Sequence, residues 1–229
     1  MQLINLEKGL RMKIAIYVLI ACVFFGAIYH IQKVITPEHQ FGKAIRANDI
    51  NKIDSLTKKY PKLLTQKILR YPIMDYALHV NANTNTVEHL IKLGCEFKKP
   101  GIANMTPLLR AIMKGNYDVA KLFLENGADP NDMATSTMAP IHWAVVNNDS
   151  KYLLLLLNYG ANPNLAEKSK DKWTPLFDAI FWDRIENVKI LIDNGANLKL
   201  KSKDGKTPLE YAEEKDSTEC IDYLKSVLK

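Results

Sequence analysis

The chain has 229 residues, of which 47% are hydrophobic and 24% charged, an ordinary composition for one or two folded domains. Its formal charge of +6 sets 31 basic against 25 acidic residues, interspersed in a way that a solvated surface explains. No basic stripe interleaved with aromatics and no nucleic-acid-binding module stands in the sequence, so nucleic acid is not an expected partner.

Residues 1–13 carry Lys8, Arg11 and Lys13, and residues 14–31 then run almost purely apolar. At roughly 1.5 Å per residue a helix from Ile14 to Tyr29 rises about 24 Å, against a hydrocarbon core of about 30 Å. Tyr29, His30, Gln32 and Lys33 would sit at the far interface and close most of the gap. The expectation is a single-pass transmembrane signal anchor over 14–35, embedded in the lipid bilayer. Two other readings stand beside it. Leu19-Ile20-Ala21-Cys22 resembles a lipoprotein signal with Cys22 as the lipidated residue, although Val23-Phe24-Phe25 continues the apolar run. A cleaved signal peptide would want a small-residue cleavage site after that run, and there is none. The basic residues crowd the N-terminal side, which places residues 1–13 in the cytoplasm and everything after the anchor outside it, in the periplasm of a cell with two membranes.

Thr36-Pro37-Glu38-His39 follows, with Pro37 expected to end the membrane helix. Residues 41–47 and 50–60 read as a helix pair turning at Asn48-Asp49, so 36–70 is assigned as a short linker plus an N-terminal capping pair. The domain it opens, 71–229, would work within tens of ångströms of the bilayer.

From residue 71 the sequence repeats itself. YPIMDYALHVNANTNTVEHLIKLGCEF places Pro72 and Gly94 at its ends, with two more residues between them than the later copies have, assigned to the Asn-rich turn at 81–85. TPLLRAIMKGNYDVAKLFLENGADPN (106–131) is the best-formed copy. Thr106 can cap a helix and Pro107 suits its first position. Leu108, Ala111 and Ile112 share one face. Gly115 permits the left-handed residue that ends the helix. Val119, Leu122, Phe123 and Leu124 form a second apolar face, closed by Gly127. MAPIHWAVVNNDSKYLLLLLNYGANPN (138–164) repeats this 33 residues on, WTPLFDAIFWDRIENVKILIDNGANLK a further 35, and KTPLEYAEEKDSTECIDYLKSVLK a further 33. Asn148, Asp183 and Asp216 stand where Gly115 does, and Asn and Asp tolerate left-handed geometry best after glycine. A two-helix unit cannot bury both its faces alone, so repeats at this period imply a stack.

The motifs TPLLRA, APIHWA, TPLFDA and TPLEYA, with NGADPN, YGANPN and NGANLK, resemble those of the ankyrin repeat over 71–229. The resemblance implies an all-α solenoid of about five repeats behind the N-terminal capping pair. It implies protein binding with no single activity attached. His142 holds the family's histidine position and is expected to make a structural hydrogen bond near the helix start. Leu109, Phe177 and Glu210 replace it elsewhere, and Ala139 replaces the capping threonine.

No metalloprotease, paired-cysteine, nucleophile-elbow or phosphate-loop motif occurs, and the five histidines lack metal-ligand spacing. The expectation is a protein that is not an enzyme and takes no metal or small-molecule cofactor. Cys95 and Cys220 fall three repeats apart, beyond the roughly 7 Å reach of a disulfide, and read as small buried groups.

Recognition remains. Ankyrin arrays bind through loop tips and the open face of the first helices. Carried over by position, the loop residues are Met105, Met138, Trp173 and Lys206, and the helix-end residues are Met113 and Lys114, Val146 and Asn147, Phe181 and Trp182, Glu214 and Lys215. Met105, Met113, Lys114, Met138, Val146, Trp173, Phe181 and Trp182 are the candidate partner-binding residues, all but Lys114 forming an apolar patch across the third to fifth units counting the cap as the first. Lysines at 98–99, 168–172 and 199–206 give three loops a basic tip. The sequence therefore points to a membrane-tethered protein-binding scaffold facing the periplasm. By analogy with small bacterial ankyrin proteins it would be an immunity protein that caps a secreted toxin. The alternative is an accessory or assembly factor for a periplasmic or membrane enzyme.

Overall fold

The computed structural model describes residues 36–134 and 137–229. The anchor expected over 14–35, and Cys22 with it, lies outside the described residues. Among the described residues no helix is long and apolar enough to cross a membrane.

Among the described residues twelve α-helices stand in six pairs: α1 (Pro37–Ala47) with α2 (Ile50–Lys59), α3 (Ile73–His79) with α4 (Thr84–Lys92), α5 (Pro107–Met113) with α6 (Tyr117–Glu125), α7 (Pro140–Val146) with α8 (Ser150–Asn158), α9 (Pro175–Phe181) with α10 (Ile185–Asp193), and α11 (Pro208–Glu214) with α12 (Thr218–Val227). The first helices form one row, each packed on the first helix of the next pair, and the second helices pack behind them. This is the solenoid the repeats called for, five units behind a capping pair.

Helix ends follow the residues named in the sequence. Thr106 Oγ1 accepts the Leu109 N–H at 3.2 Å. Thr207 accepts from Glu210, whose carboxylate takes the Thr207 N–H in return at 2.7 Å. Asn83, Asn116 and Asp149 cap the second helices in the same way. Asn148, Asp183 and Asp216 adopt φ of 54°, 51° and 54°, the left-handed turn that Gly115 makes at 71°. Leu108, Ala111, Ile112, Val119, Leu122, Phe123 and Leu124 are all buried, within one apolar core that runs from Phe41 to Leu224. Cys95 and Cys220 are buried free thiols.

Three details depart from expectation. α1 begins four residues before the start expected at 41: Thr36 caps it and Pro37 occupies its first turn. Residues 61–72 hold a 3₁₀ turn (Pro61–Thr65) and a small antiparallel hairpin, β1 (Lys67–Ile68) with β2 (Tyr71–Pro72), where the all-α reading had no strand. Its two turn residues, Leu69 and Arg70, both take positive φ, the geometry that usually announces itself as Asn-Gly. Ile68 from this hairpin rests on α1 at Gly42, where a Cβ would come within 2.9 Å of the isoleucine. Third, Pro72 is not the counterpart of Pro107. It precedes α3 as Thr106 precedes α5. Of the two extra residues, one is this offset. The other lies in the inter-helix turn, which has four residues at 80–83 against three at 114–116.

That offset makes Asp75 the structural equivalent of Leu109, His142, Phe177 and Glu210, each the third residue of its helix. The third residue of one helix then meets the fourth of the next. Asp75 pairs with Arg110 (2.8 Å), His142 faces Asp178, and the ring of Phe177 meets Tyr211 edge-on at 5.6 Å between centroids. Each of these interfaces has a different chemistry, which disfavours slippage by a whole repeat.

Among the described residues the Asp75–Arg110 pair is the most buried of the ion pairs, with Asp75 only 1% exposed. Burial pushes its carboxyl up and Arg110 opposes the shift. Gly101 lies directly over the carboxylate, where a Cβ would overlap Asp75 Oδ2 at 1.7 Å. Removing one partner of such a pair strands a buried charge. Arg110→Ala is expected to cost roughly 3 kcal/mol in urea unfolding, while Asp75→Leu combined with Arg110→Met should cost clearly less. Equal losses for the two variants would show that the pair is not the governing contact.

Candidate functional site

Loops connecting the helix pairs project beyond the row of first helices, and backbone bonds shape them. The Gly101 N–H donates to the Met105 carbonyl at 2.9 Å, Glu167 to Trp173 at 2.8 Å and Ser202 to Lys206 at 2.8 Å. One loop also ties to the one before it, through Lys168 N–H to the Thr137 carbonyl at 2.9 Å. Two asparagines span successive repeats: Asn131 Oδ1 accepts the Asn162 N–H and its amide donates to the Gly160 carbonyl, and Asn164 does the same with the Asn197 N–H and the Gly195 carbonyl. Met105, Trp173 and Lys206 thus come to the base of their loops as consequences of ordered backbone.

At Trp173 the surface becomes aromatic. Its ring lies 5.1 Å from Phe181 and 5.6 Å from Tyr211, and Phe181 stands perpendicular to Trp182 at 5.1 Å. Phe181 and Trp182, at the end of α9, remain 40% and 46% exposed, whereas Trp173 is half-buried and packs on the core. The Lys215 ammonium sits 5.2 Å from the Phe181 centroid and 5.6 Å from that of Tyr211, within cation–π range. Beneath, Tyr211 is buried and rests edge-on against the fully buried Phe177.

Of the candidate residues, the structure brings Trp173, Phe181 and Trp182 into this one cluster. The others occupy the same two columns in earlier repeats: Met138 and Val146, half-buried, one repeat back, and Met105, half-buried, with Met113, 43% exposed, two repeats back. Lys114 is exposed but committed, its Nζ donating to Asn81 Oδ1 at 3.2 Å. Sequence reasoning left Tyr211 and Lys215 out of the site. The signal for Tyr211 was present: Arg110, Trp143, Asp178 and Tyr211 are the fourth residues of successive first helices and run under the loops.

The same column reveals an acidic group below the cluster. His142, fully buried, accepts the Ala139 N–H on Nδ1 at 3.1 Å, which compensates for the absent capping threonine and is the structural bond its position implied. Donor atoms of His142, Glu167 and Asp178 all lie within 4.8 Å of one another. Because Nδ1 accepts a hydrogen bond, the neutral ring keeps its proton on Nε2, which leaves neither ring nitrogen with the free lone pair a metal would need. Burial lowers the His142 pKa to about 4, against the raising effect of the nearby Trp173, Leu165 and Ala139 backbone. Burial also pushes Asp178 up to about 8, with the charge of Glu167 adding to the shift. The site therefore holds a neutral imidazole beside a carboxylic acid at neutral pH, with no activated nucleophile in contact.

A family model described as ankyrin repeats matches three overlapping stretches, residues 42–134, 73–167 and 141–227. The chain belongs to the ankyrin-repeat family. Among its relatives are Inversin of the dog, 30% identical over 139 residues covering 61% of this chain, and the putative ankyrin repeat protein FPV031 of fowlpox virus, 30% identical over 150 residues covering 62%. The tyrosine-protein kinase HTK16 of Hydra vulgaris is 25% identical over 157 residues. The matches span 13%, 43% and 21% of those proteins, so what is shared is the repeat array. Ankyrin arrays are scaffolds for protein–protein interaction, and this ankyrin array carries the aromatic cluster where the loop ending at Trp173 meets the end of α9.

The buried acid makes the stability of this array depend on pH. Between about pH 4 and 6.5 the unfolded chain binds the His142 proton and the folded chain does not, so stability rises with pH. Between 3.8 and about 8 the folded chain holds the Asp178 proton and the unfolded chain does not, so stability falls with pH. The two slopes oppose each other up to 6.5, and above it only the fall remains. Relative to Asp178→Asn, the wild type should lose on the order of 1–2 kcal/mol between pH 6.5 and 8 in denaturant unfolding, then run parallel. Parallel curves across that interval would show that Asp178 is already ionised at neutral pH.

Proposed function

We propose that this ankyrin array is a non-enzymatic scaffold that holds a protein partner on the surface built from Trp173, Phe181 and Trp182. That surface extends over Met138 and Val146 toward Met105, Met113 and Lys114. The observation that supports this reading is the pair of exposed rings, Phe181 and Trp182, adjoining the half-buried Trp173, which Tyr211 and Phe177 anchor from below. Keeping large rings in water forgoes about 25 cal/mol for each Å² left exposed, and a partner that covers them recovers it. Their fixed mutual packing means that little ordering entropy is lost on binding.

The apolar run at 14–31 with its flanking charges supports the wider reading: an array tethered to the membrane through 14–35 and facing the periplasm. In that setting occlusion is the mechanism such a surface suits, as an immunity protein capping a secreted toxin. Trp173→Ala combined with Trp182→Ala should abolish partner recovery in affinity capture while the far-ultraviolet circular dichroism stays unchanged, since removing central interface tryptophans costs roughly 2 kcal/mol or more each. Undiminished recovery would remove this surface from the binding site. A C-terminal alkaline phosphatase fusion is expected to be active, and an inactive fusion would place the array in the cytoplasm.

A further inference from the structure

The charges around the aromatic cluster are not balanced, and the imbalance identifies the chemistry of what binds there. The loops at 166–173 and 199–206 carry seven lysines, Lys168, Lys170, Lys172, Lys199, Lys201, Lys203 and Lys206, against Glu167, Asp171 and Asp204. Two loops of sixteen residues thus hold a net +4 of the whole chain's +6. Six of these lysines are exposed, and among the described residues only Lys206 lies within ion-pair distance of a carboxylate, that of Glu214.

The acidic residues beside the rings are, by contrast, already engaged. Glu214 is held by Lys206 and Glu213 by Lys225 (2.9 Å). Asp183, next to Trp182, accepts the Ser217 hydroxyl. Glu213 and Glu214 are thus neutralised within the array, while the loop lysines outnumber Asp171 and Asp204 and all but Lys206 lie beyond ion-pair distance of a carboxylate among the described residues. Lys215 continues the positive surface onto the rings themselves, lying over both Phe181 and Tyr211. Trp173 joins the two features, since it follows Lys172 in sequence and contacts Phe181 and Tyr211 in space.

We infer that the partner engages this surface through an acidic segment bearing an aromatic or long aliphatic anchor, with the anchor on Trp173, Phe181 and Trp182 and its carboxylates on the lysines of the two neighbouring loops. The inference rests on the scaffold reading above and adds the partner's chemistry. Electrostatic complementarity of this kind steers encounter and rejects basic competitors, while the rings supply the buried contact. An anionic membrane surface would meet the lysines and also take exposed rings at its interface, so the test includes it as a separate arm.

The test is selection of short random peptides from a display library against the full-length chain. Enriched peptides are expected to be net acidic with an aromatic or leucine residue. Their affinity should fall about tenfold or more on Trp182→Ala and on joint Lys170→Glu, Lys172→Glu, Lys201→Glu and Lys203→Glu substitution, and should weaken with added salt. Enriched peptides with no acidic bias, lost on Trp182→Ala but indifferent to the lysine changes, would overturn the inference and leave the scaffold reading standing. Peptides indifferent to Trp182→Ala, or no enrichment at all, would overturn both. Vesicles of phosphatidylglycerol that bind the wild type and lose it on lysine reversal, where no acidic peptide is enriched, would overturn the inference and show that the basic loops address a membrane instead.

Discussion

A pair of helices seven and nine residues long cannot hold itself together. Each is shorter than the roughly 12–15 residues at which an isolated helix becomes marginal in water, and each exposes an apolar face once its own partner is in place. Everything in this ankyrin array follows from the need to cover that face with the next pair. The third residue of each first helix is where the contact is made specific: an ion pair from Asp75, an imidazole from His142, an aromatic edge from Phe177. Because these are not interchangeable, the order of the repeats is fixed by chemistry as well as by chain connection. The loops are held in turn by bonds that cross from one repeat to the next.

The binding surface is a by-product of that stacking. Phe177 meets Tyr211 because successive first helices must pack, and Tyr211 then supports Trp173. Phe181 and Trp182 lie at the end of a helix whose buried face is already filled by Leu176, Phe177, Ala179 and Ile180, so their rings have no core to enter. Asp178 belongs to the same layer. Its carboxyl, protonated through burial, lies beside the Glu167 that opens the Trp173 loop, which links the stability of the stack to the loop carrying part of the surface.

Much of this was legible in the sequence because ankyrin repeats punctuate themselves. Thr-Pro at the start, Gly or Asn or Asp at each turn and apolar residues at helical spacing are local signals with local causes, and the boundaries they imply agree with the structure. Where reasoning slipped, the cause was non-local or a substitute. Pro72 mimicked Pro107 in spacing, yet it sits one position earlier, and only the three-dimensional register reveals Asp75 in the histidine column. The hairpin at 67–72 turns on Leu69 and Arg70, residues that carry no turn signal. Tyr211, Lys215 and the carboxyl of Asp178 became visible once neighbouring repeats were stacked, since each acquires its role from a residue more than 30 positions away.

The central claim is that the surface is preformed: stacking fixes Trp173 and Trp182 before any partner arrives. The chain has three tryptophans, and Trp143 lies in the preceding repeat, outside the proposed surface. Fluorine NMR of the free protein labelled with 5-fluorotryptophan tests the claim most directly. The account predicts three single, narrow resonances, of which those of Trp173 and Trp182 shift on adding a selected peptide while that of Trp143 stays. Several exchanging or exchange-broadened signals for Trp173 and Trp182 in the free protein would contradict it, because the surface would then be formed by the partner.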